Sequence, residues 1–79
     1  MSDAISFELE VDTSGLLCPL PILRAKKALA QVQSGQVVKV ITTDPRAKED
    51  FQAFTDQTGN TLLGQFDEGD GVIHYIRRR

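Results

Sequence analysis

One side chain in this sequence can act as a soft nucleophile, the thiol of Cys18, and it stands in the run Gly15-Leu16-Leu17-Cys18-Pro19-Leu20-Pro21. Proline suits the first turn of a helix, because its missing N–H would have no partner there and its fixed φ is already helical. The run therefore predicts a helix that starts at Pro19 with Cys18 as its cap. In that geometry the Leu20 N–H donates to Cys18 Sγ, and the helix dipole lowers the thiol pKa and raises its thiolate population. A free cysteine is often only a small buried hydrophobe. This one occupies a turn-to-helix junction, with Gly15 upstream for a tight bend, which argues for a thiol that does chemistry.

Few other residues are placed to join it. Asp44-Pro45-Arg46 repeats the same opening chemistry, a capping carboxylate followed by a proline in the first helical position. Arg46 is the one basic side chain in the first turn of either predicted helix, suited to hold an anionic sulfur or steer an acidic partner. Lys26 and Lys27 lie seven or more residues beyond Cys18, roughly 10 Å along a helix at 1.5 Å per residue. They cannot touch the sulfur, but they can form a basic stripe for docking. Asp12 and Asp44 read as structural groups that close a turn and cap a helix, since a carboxylate beside the thiol would raise its pKa. His74 has no second histidine and one possible thiol partner. Neither a metal site nor a Cys–His hydrolase is expected from it, and no cofactor is.

Size and charge narrow the classes further. The 79 residues make one domain, 1–79, with 41% hydrophobic and 25% charged residues, the composition of an ordinary globular protein. Eleven acidic and nine basic side chains give a net charge of −2, so direct nucleic-acid binding is not favoured by the overall field. The terminal Arg77-Arg78-Arg79 is the exception; it reads as a solvated end, or otherwise as a docking patch for an acidic partner or RNA. No apolar stretch approaches the roughly 20 residues of a membrane span. Met1-Ser2-Asp3-Ala4 has neither the basic region nor the apolar core of a signal peptide, so a cytoplasmic location is expected, where one unpaired cysteine stays reduced.

The elements that must position Cys18 follow from periodicity. Ile5, Phe7, Leu9 and Val11 alternate with polar residues as in a half-buried strand, and Asp12 to Gly15 is a turn. A helix runs from Pro19 to about Gln33, with Ile22, Ala25, Ala28, Leu29 and Val32 on its buried face. Val37 to Thr43 is a β-branched strand, parallel to the first because a strand–helix–strand unit normally makes a right-handed parallel crossover. A second helix from Pro45 buries Ala47, Phe51, Phe54 and Thr58 and ends at Gly59-Asn60. Thr61 to Phe66, interrupted by Gly64, a turn over Asp67 to Gly71, and Val72 to Arg77 complete the order βαβαββ. The fold class is α+β, a two-layer sandwich in which both helices cover one face of a four-stranded mixed sheet. Two parallel strands open their following loops at the same sheet edge, so Cys18 and Asp44-Pro45-Arg46 become neighbours. On the uncovered face, scattered exposed apolar side chains are the ordinary expectation.

Over about Leu9 to Arg79 the chain resembles the TusA/SirA-like sulfur carrier proteins. The matching residues are Asp12-Thr13-Ser14-Gly15-Leu16-Leu17-Cys18-Pro19-Leu20-Pro21, Lys27, Gly35, Asp44-Pro45, Asp50, Gly59 and Ile76-Arg77, with Cys-Pro-x-Pro the most specific. The resemblance implies a SirA-like sandwich similar to the C-terminal domain of a bacterial translation initiation factor. It implies a sulfurtransferase-type carrier that holds sulfur as a Cys18 persulfide. The partners would be a cysteine desulfurase or another donor, and an acceptor protein in tRNA thiolation, molybdenum-cofactor synthesis or sulfur metabolism; a monomer is expected. A carrier thiol needs nucleophilicity, exposure and rigid placement, and with no second cysteine the sulfur must leave to an outside acceptor. Between the prolines stands Leu20, where the tRNA-thiolation member typically has an acidic residue, and an apolar rim there suits a different acceptor. The alternatives are a non-catalytic regulatory or RNA-binding module, and a one-cysteine redox sensor in which Cys18 becomes a sulfenic acid.

Overall fold

In the computed structural model, which describes residues 5–79, the elements are β1 (Leu9–Thr13), α1 (Leu20–Leu29), β2 (Val37–Thr42), α2 (Ala47–Thr58), β3 (Thr61–Glu68) and β4 (Gly71–Arg77). The expectation about a targeting segment rests on residues 1–4, outside the described ones. The sheet has the order β1-β2-β4-β3, with β1 parallel to β2 and the other two pairings antiparallel. The expected βαβαββ order and the mixed four-stranded sheet are both present.

Register decides which side chains meet the helices. Leu9 and Val11 pair with Val38 and Val40, which pair in turn with Ile76 and His74. These form one sheet face, and its apolar members pack with Ala25, Ala28 and Leu29 of α1 and Ala47, Phe51 and Phe54 of α2 in a single core. Phe51 and Phe54 meet edge to face, with centroids 6.1 Å apart. The opposite face carries Lys39, Ile41, Ile73 and Tyr75, and there Tyr75 is covered by Phe7 and Phe66 at centroid distances of 6.3 and 5.9 Å.

Several boundaries differ from expectation for identifiable reasons. The first strand starts at Leu9 rather than Ile5, because the Glu8 carboxylate accepts the Val37 N–H at 2.7 Å and breaks the alternation, leaving Phe7 on the uncovered face. It extends through Asp12 to Thr13, whose buried hydroxyl donates to the Ile41 carbonyl at 2.6 Å. The helix α1 stops at Leu29 rather than about Gln33; Val32 is buried from the turn that follows. The helix α2 closes as expected, at Gly59 with φ 80°, a left-handed conformation that glycine adopts without Cβ strain. Both hairpin strands run longer than read, so the turn shrinks to Gly69-Asp70, and the irregularity foreseen at Gly64 is a bulge between Leu62 and Gly64.

At the arginine end Arg77 and Arg79 are exposed, as expected, but the backbone of Arg78 and Arg79 is tied down. Gly35 N–H donates to Arg78 O and Arg78 N–H to Gln36 O, both at 2.8 Å, and Arg79 N–H donates to Asn60 Oδ1 at 3.0 Å. The Arg78 guanidinium donates to the Val32 carbonyl just past α1, a cation placed where helix carbonyls lack partners.

Candidate functional site

The loops after β1 and β2 meet at one edge of the sheet, as the parallel pairing requires. Gly15, at φ 82°, turns the chain sharply, and its N–H donates to Thr43 Oγ1 at 2.8 Å. Asp12 Oδ1 accepts the Ser14 N–H at 2.9 Å, and the hydrogen bonds from Ser14 hold its carboxyl below the ordinary range. Cys18 follows, exposed, with its peptide N–H donating to Asp44 Oδ2 at 2.7 Å. The other Asp44 oxygen accepts the Arg46 N–H at 3.0 Å. Asp44 is itself buried, and the Arg46 and Cys18 amides, in that order, keep its carboxyl ionised below the usual range. One carboxylate thus ties the thiol-bearing loop to the start of the second helix.

Two expectations about the helix starts are corrected here. The first α1 residue is Leu20 and Pro19 is the cap, so Cys18 lies one position outside, and Pro21 is the proline within the first turn. The Leu20 N–H donates to the Leu17 carbonyl at 2.9 Å rather than to Cys18 Sγ, because the Leu17–Leu20 turn closes on its own backbone first. Likewise α2 begins at Ala47 with Arg46 as its cap, and Pro45 sits in the preceding turn; Asp44 accepts the Ala47 N–H through its backbone carbonyl at 3.0 Å.

The expected depression of the thiol pKa is also overturned. Burial on its protein side pushes the Cys18 thiol up, the Asp50 charge and hydrogen bonding with that carboxylate push the same way, and Asp44 adds to them. Only Arg46 acts in the opposite sense. Two carboxylates, Asp50 and Asp44, thus disfavour the thiolate against one arginine. Asp44 is therefore a structural anchor and an electrostatic neighbour at once.

Leu17, Cys18, Asp44, Pro45 and Arg46 line an open cleft of about 360 Å³. Its apolar rim is real: Leu17 is 64% and Leu20 44% exposed. Lys26 and Lys27 lie in the last turn of α1, away from the sulfur as expected. Lys26 lines a separate groove with Leu29, Phe54, Arg78 and Arg79 at the other end of the helices. Asp50, which the sequence offers only as one of the residues of the family resemblance, is a neighbour of the thiol that the reading of the site's own residues left out. Its signal was the spacing Arg46–Asp50, one helical turn, which the Asp50 N–H to Arg46 carbonyl bond at 3.0 Å realises.

His74 is buried far inside the sheet and does not meet the thiol cleft. Among the described residues no group of three His, Cys, Asp or Glu side chains is arranged to hold a metal ion, and no helix is long and apolar enough to cross a membrane.

Residues 9–78 match the family model described as sulfurtransferase TusA. A sulfur carrier protein TusA of Allochromatium vinosum is 53% identical over 73 residues, covering 92% of this chain and 95% of that protein. A putative sulfur carrier protein of Neisseria meningitidis serogroup A is 60% identical over 66 residues, 84% of this chain and 88% of the relative. Among solved structures, a SirA-like protein of Desulfitobacterium hafniense superposes with a TM-score of 0.74 at 30% identity, covering 89% of this chain and 95% of that one.

Proposed function

This chain belongs to the TusA family of sulfur carrier proteins, and we propose that Cys18 is the residue that holds the carried sulfur, as a persulfide. The observation that carries this reading is the exposed thiol on a loop whose backbone is pinned at 2.7 Å by the buried Asp44. Accessibility lets a donor protein reach the sulfur, and the pinned backbone fixes where it is presented.

The transfer balances without an outside oxidant. The Cys18 sulfur attacks the outer sulfur of a donor persulfide, the donor's inner S–S bond breaks, and the donor cysteine leaves as a thiolate that takes up the proton given by Cys18. The reverse exchange at an acceptor cysteine discharges the sulfur and restores the Cys18 thiol. Held protonated by its carboxylate neighbours, the resting thiol is slow to react alone. The donor class is a cysteine desulfurase or another persulfide-bearing protein; the acceptor is a protein of tRNA thiolation, molybdenum-cofactor synthesis or sulfur metabolism. Exposed Leu17 and Leu20 are the apolar contact and Arg46 the polar one, with Lys26 and Lys27 as a more distant basic docking stripe.

Incubation with a cysteine desulfurase and cysteine tests the reading. Mass spectrometry should show the addition of one sulfur atom, removed by reductant and absent from Cys18→Ser. An adduct that survives that substitution, or none on the parent protein, refutes it.

A further inference from the structure

His74 is a fully buried polar residue away from the cleft, and its partners lead back toward it. Gln65 Nε2 donates to the Lys48 carbonyl at 2.9 Å and to His74 Nδ1 at 3.1 Å. A carbonyl can only accept, so it fixes the Gln65 amide orientation; His74 Nδ1 is then the acceptor and Nε2 carries the proton. Nε2 donates to Thr42 Oγ1 at 2.8 Å, and that hydroxyl turns its own hydrogen toward the Val72 carbonyl at 3.4 Å. The ring lies stacked on Phe51 of α2, with centroids 4.5 Å apart.

Thr42 is the last residue of β2 and Lys48 lies in the first turn of α2. Between them runs the loop that carries Asp44 and Arg46. The two ring nitrogens of His74 thus reach the two ends of this loop, one directly and one through Gln65. We propose that His74 is a positioning residue for the carrier thiol: through Thr42 and Gln65 it braces both ends of the loop whose Asp44 carboxylate holds the Cys18 amide. Its role for sulfur transfer rests on the reading of Cys18 as the sulfur-bearing residue; its effect on the thiol does not.

A brace of this kind should be visible in how Cys18 ionises. Cutting it loosens Asp44, and Asp50 two residues beyond Lys48, from the thiol that both disfavour as an anion. The measurement is the rate of Cys18 alkylation by iodoacetamide across pH, a readout needing no sulfur donor, so it stands even if persulfide formation fails. His74→Phe keeps the ring and removes both nitrogens. Gln65→Met, at a half-buried position on the edge strand β3, removes the indirect link and serves if His74→Phe does not fold. Val38→Ala is the control, since it weakens the same core without touching either link. Expected is a downward move of the alkylation midpoint in the folded His74 and Gln65 variants, with a rate near neutral pH about threefold higher. Val38→Ala should lower Tm and leave the profile in place. An unmoved midpoint in the folded brace variants, or an equal move in Val38→Ala, overturns the proposal.

Discussion

Acid should unfold this protein through its one histidine before its carboxylates. Burial drives the His74 pKa down from 6.5 to about 4, with the Lys48 charge a smaller contribution in the same direction. The folded state therefore holds the neutral ring while the unfolded chain, with the ordinary value, binds a proton. Stability due to this group is full above about pH 6.5 and is lost as pH falls toward 4. Between pH 7 and 4.5 the loss is about 2 kcal/mol, since each pH unit in that window costs about 1.4 kcal/mol for one proton. With a urea dependence of about 1 kcal/mol per molar, reasonable for a chain this short, the unfolding midpoint should drop by about 2 M over the window. Asp12 and Asp44, held below the ordinary carboxylate range, keep their charge in the folded protein there and add their losses at lower pH. Urea melts at half-unit pH steps, followed by circular dichroism, supply the test, with His74→Phe beside the parent. The variant should start less stable, because the Thr42 hydroxyl and Gln65 amide lose a partner, yet show a nearly flat dependence. A parent midpoint unchanged between pH 7 and 4.5, or an equal slope in His74→Phe, refutes the account.

Removing a neighbouring charge should change thiol reactivity in opposite directions. Asp50→Asn deletes a charge that disfavours the thiolate and should speed iodoacetamide alkylation of Cys18 at neutral pH by several-fold, while Arg46→Gln should slow it. The fully buried Phe51 packs against Phe54 and His74, so Phe51→Ala should cost about 3–5 kcal/mol in urea melts, close to the whole stability of so small a domain. At Gly71 an added Cβ would sit inside contact distance of the Thr42 carbonyl oxygen, which belongs to β2 and cannot swing away. Gly71→Ala should therefore lower stability by about 1–3 kcal/mol, measured by thermal melting.

The sheet's uncovered face illustrates why periodicity carried the fold only so far. Alternation within β2 and β4 left two parities open for each strand, and burial of Val38, Val40, His74 and Ile76 against the helices selects one. Alternation also placed Phe7 with Leu9, but a carboxylate two residues before the strand's second position, Glu8 on Val37, broke the pattern. Such a long-range side-chain contact leaves no periodic trace. The arginine end reads as solvated by position, and Arg77 and Arg79 are exposed, but the ties of Arg78 and Arg79 to Val32, Gln36 and Asn60, residues distant in sequence, are not legible there.

At the site, residue types and local geometry made the thiol, the double-proline helix start and the meeting of Cys18 with the Asp44 loop legible, because strand direction alone brings parallel strand ends together. Local rules could not set the thiol's ionisation. They weigh a dipole and a cap within one turn, whereas the acidity of a sulfur is a sum over every charge that packing brings near it, and Asp50 arrives from the second helix. Residue order alone places the thiol and the sheet edge at which it lies; the direction in which its pKa moves comes from packing, since electrostatic energy depends on distances through space that no spacing along the chain specifies.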